Sequence, residues 1–264
     1  MEERVERTDR FIYQQGEVIY MIKTFEISDN RQVIPVWFLG DIHYGHESCN
    51  IEKLQQYIQW AKKKKAYTIL MGDLIENSMP TWMPETIWSQ KKIPHEQIYD
   101  IIELLKPIKD KILCIFQGNH EKRTFKLTGF DITKEIAEKL GCYYQRLGGF
   151  IRIKIKNQTY NICIHHGYGA SQNPRFHIQK ALQSWRGMDI LAIGHLHQLY
   201  LEKLSYYTPE GKESVIALRT GGFLDYPEYA LERFFPVAEI GAPIVQLHSN
   251  QHSIHVEPYG LNND

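Results

Sequence analysis

The sequence predicts a layered α/β fold with mixed sheets. Short apolar runs alternate with helix-period segments over the first half of the chain, and glycine stops most of those runs. From Phe150 onward the pattern changes to runs of strands separated by glycine and proline turns.

Each element follows from a local pattern. Val33–Leu39 is mostly apolar and is stopped by Gly40, which predicts a buried strand. Ile51–Lys65 is predicted helical, with Ile51, Leu54, Ile58 and Ala61 on one stripe. Its four closing lysines, Lys62–Lys65, complement a helix C-terminus better than they suit a nucleic-acid patch. Tyr67–Met71 reads as a second buried strand closed by Gly72-Asp73, and Ser78–Pro94 as an irregular stretch with three prolines and two tryptophans. Gln97–Lys106 is predicted helical and ended by Pro107, Lys111–Phe116 is a third strand, and Asp131–Leu140 is a helix capped by its aspartate. FIRIKIK alternates apolar and basic residues, Asn157–Thr159 turns, and YNICIHHG follows, which predicts a hairpin. Ser171–Gly187 reads as a loop and helix, Asp189–Ile193 as a strand stopped at Gly194, and Leu199–Pro258 as several short strands. With no repeat, low-complexity tract or linker, residues 1–264 are expected to form a single domain.

Bulk composition excludes more than it identifies. Lys+Arg and Asp+Glu both count 31, so no global field draws the chain to nucleic acid or anionic lipid, and any affinity for phosphate must be local. The charged, two-signed N-terminus lacks the apolar core of a signal peptide, and no apolar run approaches membrane-spanning length. Cys49, Cys114, Cys142 and Cys163 are scattered, which favours reduced thiols and a cytoplasmic location over a disulfide frame or a thiolate zinc site. Twelve histidines are the unusual feature, and several fall just after strand ends.

One arrangement recurs five times: an apolar strand ends, and metal-capable side chains follow. The five are Gly40-Asp41-Ile42-His43, Gly72-Asp73, Gly118-Asn119-His120-Glu121, His165-His166-Gly167 and Gly194-His195-Leu196-His197. Sites in open α/β sheets gather beyond the carboxyl ends of strands, so five such ends would build one cluster. Imidazole and carboxylate without thiolate suit Mn2+, Fe, Zn2+ or Ni2+ and argue against a structural zinc finger. So many ligands suit two ions sharing an aspartate, and two metals roughly 3.5–4 Å apart acidify a bridging water and clamp a phosphoryl group for in-line attack.

GDIH, GD, GNHE, HHG and GHLH, in this order and at these separations, resemble the motifs of the calcineurin-like metallophosphoesterase superfamily. The resemblance spans about Val33 to Gln198. It implies a four-layer αββα sandwich of two mixed β-sheets flanked by helices, with residues 199–264 adding C-terminal strands. It implies a dinuclear site in which Asp41, His43 and His197 hold one divalent ion, and Asn119, His195 and one of His165 and His166 hold the other, with Asp73 bridging. His165 directly closes the apolar run Ile162–Ile164 and is preferred, while His166, next to the glycine, is kept. His120 would be the proton donor or phosphate-oxygen stabiliser near the leaving group. Mn2+ is the first choice of metal, with Fe, Zn2+ and Ni2+ as alternatives.

The departures matter as much. The family's protein serine/threonine phosphatases carry Gly-Asp-x-x-Asp-Arg-Gly at the second motif, whereas this chain has GDLIENS, with Glu76 and Asn77 in place of the aspartate and arginine. Glu76 is expected to hold His120, and loss of the arginine argues against a dedicated phosphoprotein phosphatase. Glu121 is open between orienting His120 and complementing a helix dipole, and His46 between substrate contact and a solvated turn. Arg123 and Lys122 follow the GNHE motif and are read as solvated, with Arg123 kept as a substrate contact. The 78–94 segment is expected to overhang the site, where Trp82 and Trp88 would stack on bases or, equally, form a hydrophobic cover or a subunit contact, and Arg175 is placed in the same region. The function expected is hydrolysis of phosphodiester bonds of DNA, RNA or nucleotides by a metal-bridging hydroxide. A phosphomonoesterase is the alternative, and an inactive interaction scaffold ranks third because every ligand position is filled.

Overall fold

The structure, a computed structural model, describes residues 4–14, 17–81, 84–171, 173–209, 211–226, 228–232, 234, 237, 240–258 and 260–261, with backbone alone for 4, 10–14, 17–21, 85, 228 and 229. In chain order the strands are β1 (Arg4–Gln14), β2 (Glu17–Ser28), β3 (Val33–Leu39), β4 (Tyr67–Leu70), β5 (Ile112–Phe116), β6 (Tyr143–Gln145) and β7 (Gly149–Ile155). There follow β8 (Gln158–His165), β9 (Ile190–Ile193), β10 (Leu199–Thr208), β11 (Gly211–Thr220), β12 (Ile244–His248) and β13 (Ile254–Glu257). The helices are α1 (Ile51–Lys64), α2 (Pro94–Leu105), α3 (Asn119–Thr128), α4 (Ile132–Leu140), α5 (Arg175–Ser184) and α6 (Glu228–Glu232).

Two mixed sheets result. One runs β1-β2-β7-β8-β9-β11-β10 and the other β13-β12-β3-β4-β5-β6. β3, β4, β5 and β6 pair in parallel, as helical crossovers require, while the β7–β8 and β10–β11 hairpins are antiparallel. The inner faces pack on each other: Ile34, Val36, Phe38 and Ile69 of one sheet share a buried core with Ile151, Ile153, Ile162, Ile164 and Leu218 of the other. On the outside, α1, α2 and α4 cover the six-stranded sheet, and α5 places Ile178 against Leu191, Val215 and Ala217 of the seven-stranded sheet. The order is therefore helix, sheet, sheet, helix.

Local chemistry sets the helix bounds. The Asn50 side chain accepts from the Lys53 N–H at the start of α1, and Lys65 ends it in the left-handed conformation. Asp131 caps α4 through the Lys134 N–H, and Gly141 closes it. The buried face of α1 is Leu54, Tyr57, Ile58 and Ala61. Ile51, expected on that stripe, is 39% exposed. Trp37 stacks on Tyr57 at 5.4 Å, and a truncation such as Leu54→Ala in this layer costs about 2–5 kcal/mol.

Five elements depart from the sequence expectation. β1 and β2 form a long hairpin where no strands were expected, because β1 is an edge strand whose exposed Glu6, Arg7, Thr8 and Asp9 hide the alternation. α3 buries only Glu121, so it shows no apolar stripe. β10 and β11 are ten residues each rather than short, and β10 is an edge strand with no fully buried position. All four cysteines are free. No described helix is long and apolar enough to cross a membrane.

Candidate metal centre

The carboxyl ends of β3, β4 and β5 in one sheet and β8 and β9 in the other open onto a single place. The chain there is held in unusual backbone shapes. Asp41, His43, Asp73, His195 and His197 all have positive φ, at 50°, 51°, 49°, 76° and 50°. A non-glycine residue in this region costs on the order of 1–3 kcal/mol, and such strain persists where the surroundings over-determine it, as functional sites do. Two glycines make the close approach possible. A Cβ on Gly118 would lie 2.0 Å from Asp73 Oδ1, and one on Gly72, whose φ is +93°, would lie 2.4 Å from the Gly118 nitrogen.

Glu121 ties these loops together. Its Oε1 accepts from the N–H groups of Leu74 at 2.7 Å and Ile75 at 3.3 Å. Its Oε2 accepts from Asp73 and Gly118, each at 3.1 Å. Of the two expectations for Glu121 the helix-start one holds, since it lies in the first turn of α3 and accepts from the Gly118 N–H at the N-cap; the same carboxylate is also an internal staple beneath Asp73. Burial first, and then the Asp73 charge, push its carboxyl up to about 7.

Above this staple, three groups of side chains each bring ligand atoms within 4.8 Å of one another: Asp41, His43 and His197; His43, Glu76 and His120; and Asp73, His166 and His195. Asp73 links them, its Oδ2 lying 3.2 Å from His166 Nε2, 3.8 Å from His120 Nε2 and 3.9 Å from His43 Nε2. Asn119 Oδ1 is 2.9 Å from the same His166 nitrogen. Asp41, wholly buried, accepts the His195 backbone N–H on both oxygens at 3.0 Å and lies 3.6 Å from His197 Nε2.

The outward nitrogen of each imidazole is fixed by what the other nitrogen does. His43 Nδ1 donates to Glu76 Oε2 at 3.0 Å, His166 Nδ1 to the Met71 carbonyl at 2.9 Å, and His195 Nε2 to the Gly169 carbonyl at 2.8 Å. His43 Nε2 and His197 Nε2 then face each other at 3.0 Å. Two imidazole lone pairs at that separation repel unless a proton or a cation sits between them. The donor set of carboxylate, amide and imidazole, with lone pairs pre-aimed, fits divalent cations.

The electrostatics show the same demand. Burial raises the Asp41 carboxyl to about 6. Burial would raise Asp73 too, but the imidazoles of His166 and His120 hold it well below the carboxylate range. Burial lowers His166, yet the Asp73 carboxylate overcomes it and lifts the imidazole to about 10. Burial depresses His120 and His195 to about 4 and takes His197 well below its usual value. Burial opposes ionisation of Glu76, but the neighbouring His120 and His43 hold it down to about 2.

Asp41, His43, Asp73, Glu76, Asn119, His120, His166, His195 and His197 therefore come together. His165 does not: its ring is exposed and its Nδ1 accepts from the Gly167 N–H at 2.8 Å. The preference for His165 is corrected by strand alternation. Ile162 and Ile164 face the core between the sheets, Cys163 faces the α5 side, and His165 continues the Cys163 face. The next inward position is His166.

Arg123 is also not the solvated residue expected. One turn along α3 from His120, its Nη2 donates to His120 Nε2 at 2.9 Å and its side chain is 11% exposed. His46 is buried rather than on a solvated turn, accepts from the Ser48 N–H at 3.0 Å, and belongs to none of the three groups. Arg175 is exposed and ion-paired with Glu202. Trp88 is 88% exposed, and Trp82 lies outside the described residues. The 78–94 segment is anchored at its ends, since Gln90 Oε1 accepts from Ser78 N and Gln97 Nε2, each at 2.8 Å. The orienting carbonyls of Met71 and Gly169 had no signal in the sequence, because every residue carries one.

The sequence profile of the calcineurin-like phosphoesterases matches residues 34–219. No curated protein matches the chain in sequence. Among solved structures, Vacuolar Protein Sorting 29 from Cryptosporidium parvum is 18% identical with a TM-score of 0.46, the alignment covering 88% of this chain and 94% of that one. A conserved uncharacterised protein described as a phosphoesterase, from Streptococcus pneumoniae, is 13% identical with a TM-score of 0.39, covering 88% and 94%. Vps29 complexed with zinc from Entamoeba histolytica is 18% identical with a TM-score of 0.38, covering 85% and 97%.

Proposed function

We propose that this chain, which belongs to the calcineurin-like phosphoesterase family, hydrolyses phosphodiester bonds in nucleic acid or nucleotides, using two divalent cations. The observation that carries this reading is the convergence on Asp73 Oδ2 of His166, His120 and His43, with Asp41, Asn119, His195 and His197 around them. Asp41, His43 and His197 would hold one cation and Asn119, His166 and His195 the other, with Asp73 shared. Such a pair, when bound, lowers the pKa of a water and offsets charge on the phosphoryl group. Mn2+ is the first ion to test. The unit we assign is the whole of 1–264, because β1 near the start and β13 near the end belong to the two sheets that meet at this site.

The chain's own residues do the rest. His120 Nδ1 donates to the Glu76 carbonyl at 2.5 Å, which fixes the ring and turns Nε2 toward Asp73. That nitrogen is placed to meet the leaving-group oxygen or a phosphoryl oxygen. Glu76 serves two imidazoles at once, with its carboxylate 3.0 Å from His43 and 3.5 Å from His120. Asn77, in the position of the family arginine, donates to the His120 carbonyl at 2.6 Å and so steadies the start of α3.

Side-by-side turnover of bis-p-nitrophenyl phosphate and p-nitrophenyl phosphate with Mn2+ tests the reading. Faster diester hydrolysis is expected, and faster monoester hydrolysis overturns it. The phosphomonoesterase alternative is favoured by one observation, the Arg123 guanidinium beside His120, which offsets the arginine missing at position 77.

A further inference from the structure

Arg123 is the one cationic side chain, among the described residues, that touches the proposed acid–base group. It lies three residues after His120 and four after Asn119, so all three share one face of α3. Its guanidinium is largely buried, yet its partners are few. Nη2 donates to His120 Nε2 at 2.9 Å, Nη1 reaches the Glu76 carbonyl at 3.4 Å, and the closest carboxylate oxygen, Glu76 Oε1, is 4.0 Å away. Glu76 is already taken by His43 and His120. A guanidinium has five N–H donors in a rigid fork, and among the described residues most of those on Arg123 have no acceptor at hydrogen-bond distance.

Keeping a cation partly out of water beside neutral imidazole is costly unless an anion completes it. Among the described residues the one ion pair of Arg123 is the long contact to Glu76, with no carboxylate at hydrogen-bond distance. An anion brought by the substrate would complete it, and the site is built for one. The geometry is also restrictive: if His120 Nε2 acts at the scissile phosphate ester, a guanidinium 2.9 Å from that atom must lie against the same phosphoryl group.

We infer that Arg123 is the residue that grips the substrate's phosphoryl oxygens, replacing from α3 the guanidinium that Asn77 leaves out of the second motif. In the substrate-free protein its Nη2 rests on His120, and the incoming phosphoryl group draws the fork away and leaves His120 Nε2 free. The inference rests on the phosphoesterase reading and holds for diester or monoester, since both present unesterified phosphoryl oxygens.

The test is calorimetric titration of inorganic phosphate into the full chain loaded with Mn2+, comparing wild type, Arg123→Ala, Arg123→Lys and, as an equal-charge control, Arg175→Ala. Arg123→Ala should weaken phosphate binding by roughly 10- to 100-fold, the span of one charge-assisted hydrogen bond. Manganese content and melting temperature should stay close to wild type. Arg123→Lys should recover only part of the loss, because an ammonium cannot present two parallel donors. Arg175→Ala should bind as wild type does. Phosphate binding by manganese-loaded Arg123→Ala within about threefold of wild type overturns the inference while leaving the proposed function standing. Wild type that binds manganese but no phosphate overturns both.

Discussion

Asp73 is 1% exposed, sits in a left-handed backbone conformation and is approached by three imidazoles, with Glu121 beneath its amide. Trp88, in the loop that follows, is 88% exposed. Arg175 and Lys92, also exposed, are ion-paired to Glu202 and Asp100 on the surface. The cluster is over-determined, with His43, His166 and His195 each held by a second contact, whereas the surface residues are satisfied by their own neighbours. A reaction centre needs the first arrangement because a misplaced ligand loses its ion. Recognition tolerates the second, since loops on a rigid scaffold can vary without disturbing the chemistry.

The sharpest way to break this contrast is Asp73→Asn. It should remove metal from both positions and leave less activity than any other single change here, as metal analysis and turnover will show. Normal metal content would mean that the cluster does not depend on its shared carboxylate. His120→Ala comes next, slowing turnover by roughly 10²–10⁴-fold with metal content near normal. Loss of the ions in that variant would make His120 part of the cluster's scaffold instead.

Glu121→Gln tests the staple. The added NH2 would face the N–H groups of Asp73 and Gly118, or those of Leu74 and Ile75, donor against donor. Metal affinity should fall by roughly 10–100-fold, the usual cost of losing an orienting partner. An unchanged chelator-competition curve would refute the staple.

A smaller effect separates the two regions by pH. In the metal-free protein His166 is raised to about 10, chiefly because the Asp73 carboxylate outweighs burial, so a metal must displace a proton at any lower pH. Affinity should therefore climb by up to about tenfold per pH unit between pH 7 and 9, where an ordinary imidazole, already neutral, gives no slope. A flat chelator-competition profile across that window would count against the Asp73–His166 contact. The smallest effect is expected from Trp88→Ala, which should leave stability within about 0.5 kcal/mol and small-ester turnover unchanged. If Trp88 stacks on bases, KM for a single-stranded oligonucleotide alone should rise.

The convergence of side chains around Asp73 was largely legible in the sequence, and the departures have physical causes. Apolar strands and the residues just after them are local patterns, so the five motifs announced their positions before any contact was known. His165 was preferred over His166 because adjacency to an apolar run was given more weight than the two-residue alternation that Ile162 and Ile164 continue to 166. Arg123 was assigned to solvent because α3 has no apolar stripe to show which face turns inward. β1 shows no alternation because it is an edge strand with an exposed, charged run.

Residue order and local pattern by themselves determined the strand–helix succession, the ligand types and the positions at which they follow strand ends. Only the tertiary structure decided which of two adjacent histidines points at Asp73, that Glu121 lies beneath that aspartate, and that a guanidinium from α3 meets His120. The division has one physical reason. Propensity and periodicity act between residues a few places apart, whereas these contacts join side chains or backbone held by different strands and helices, and their directions exist only once two sheets have packed.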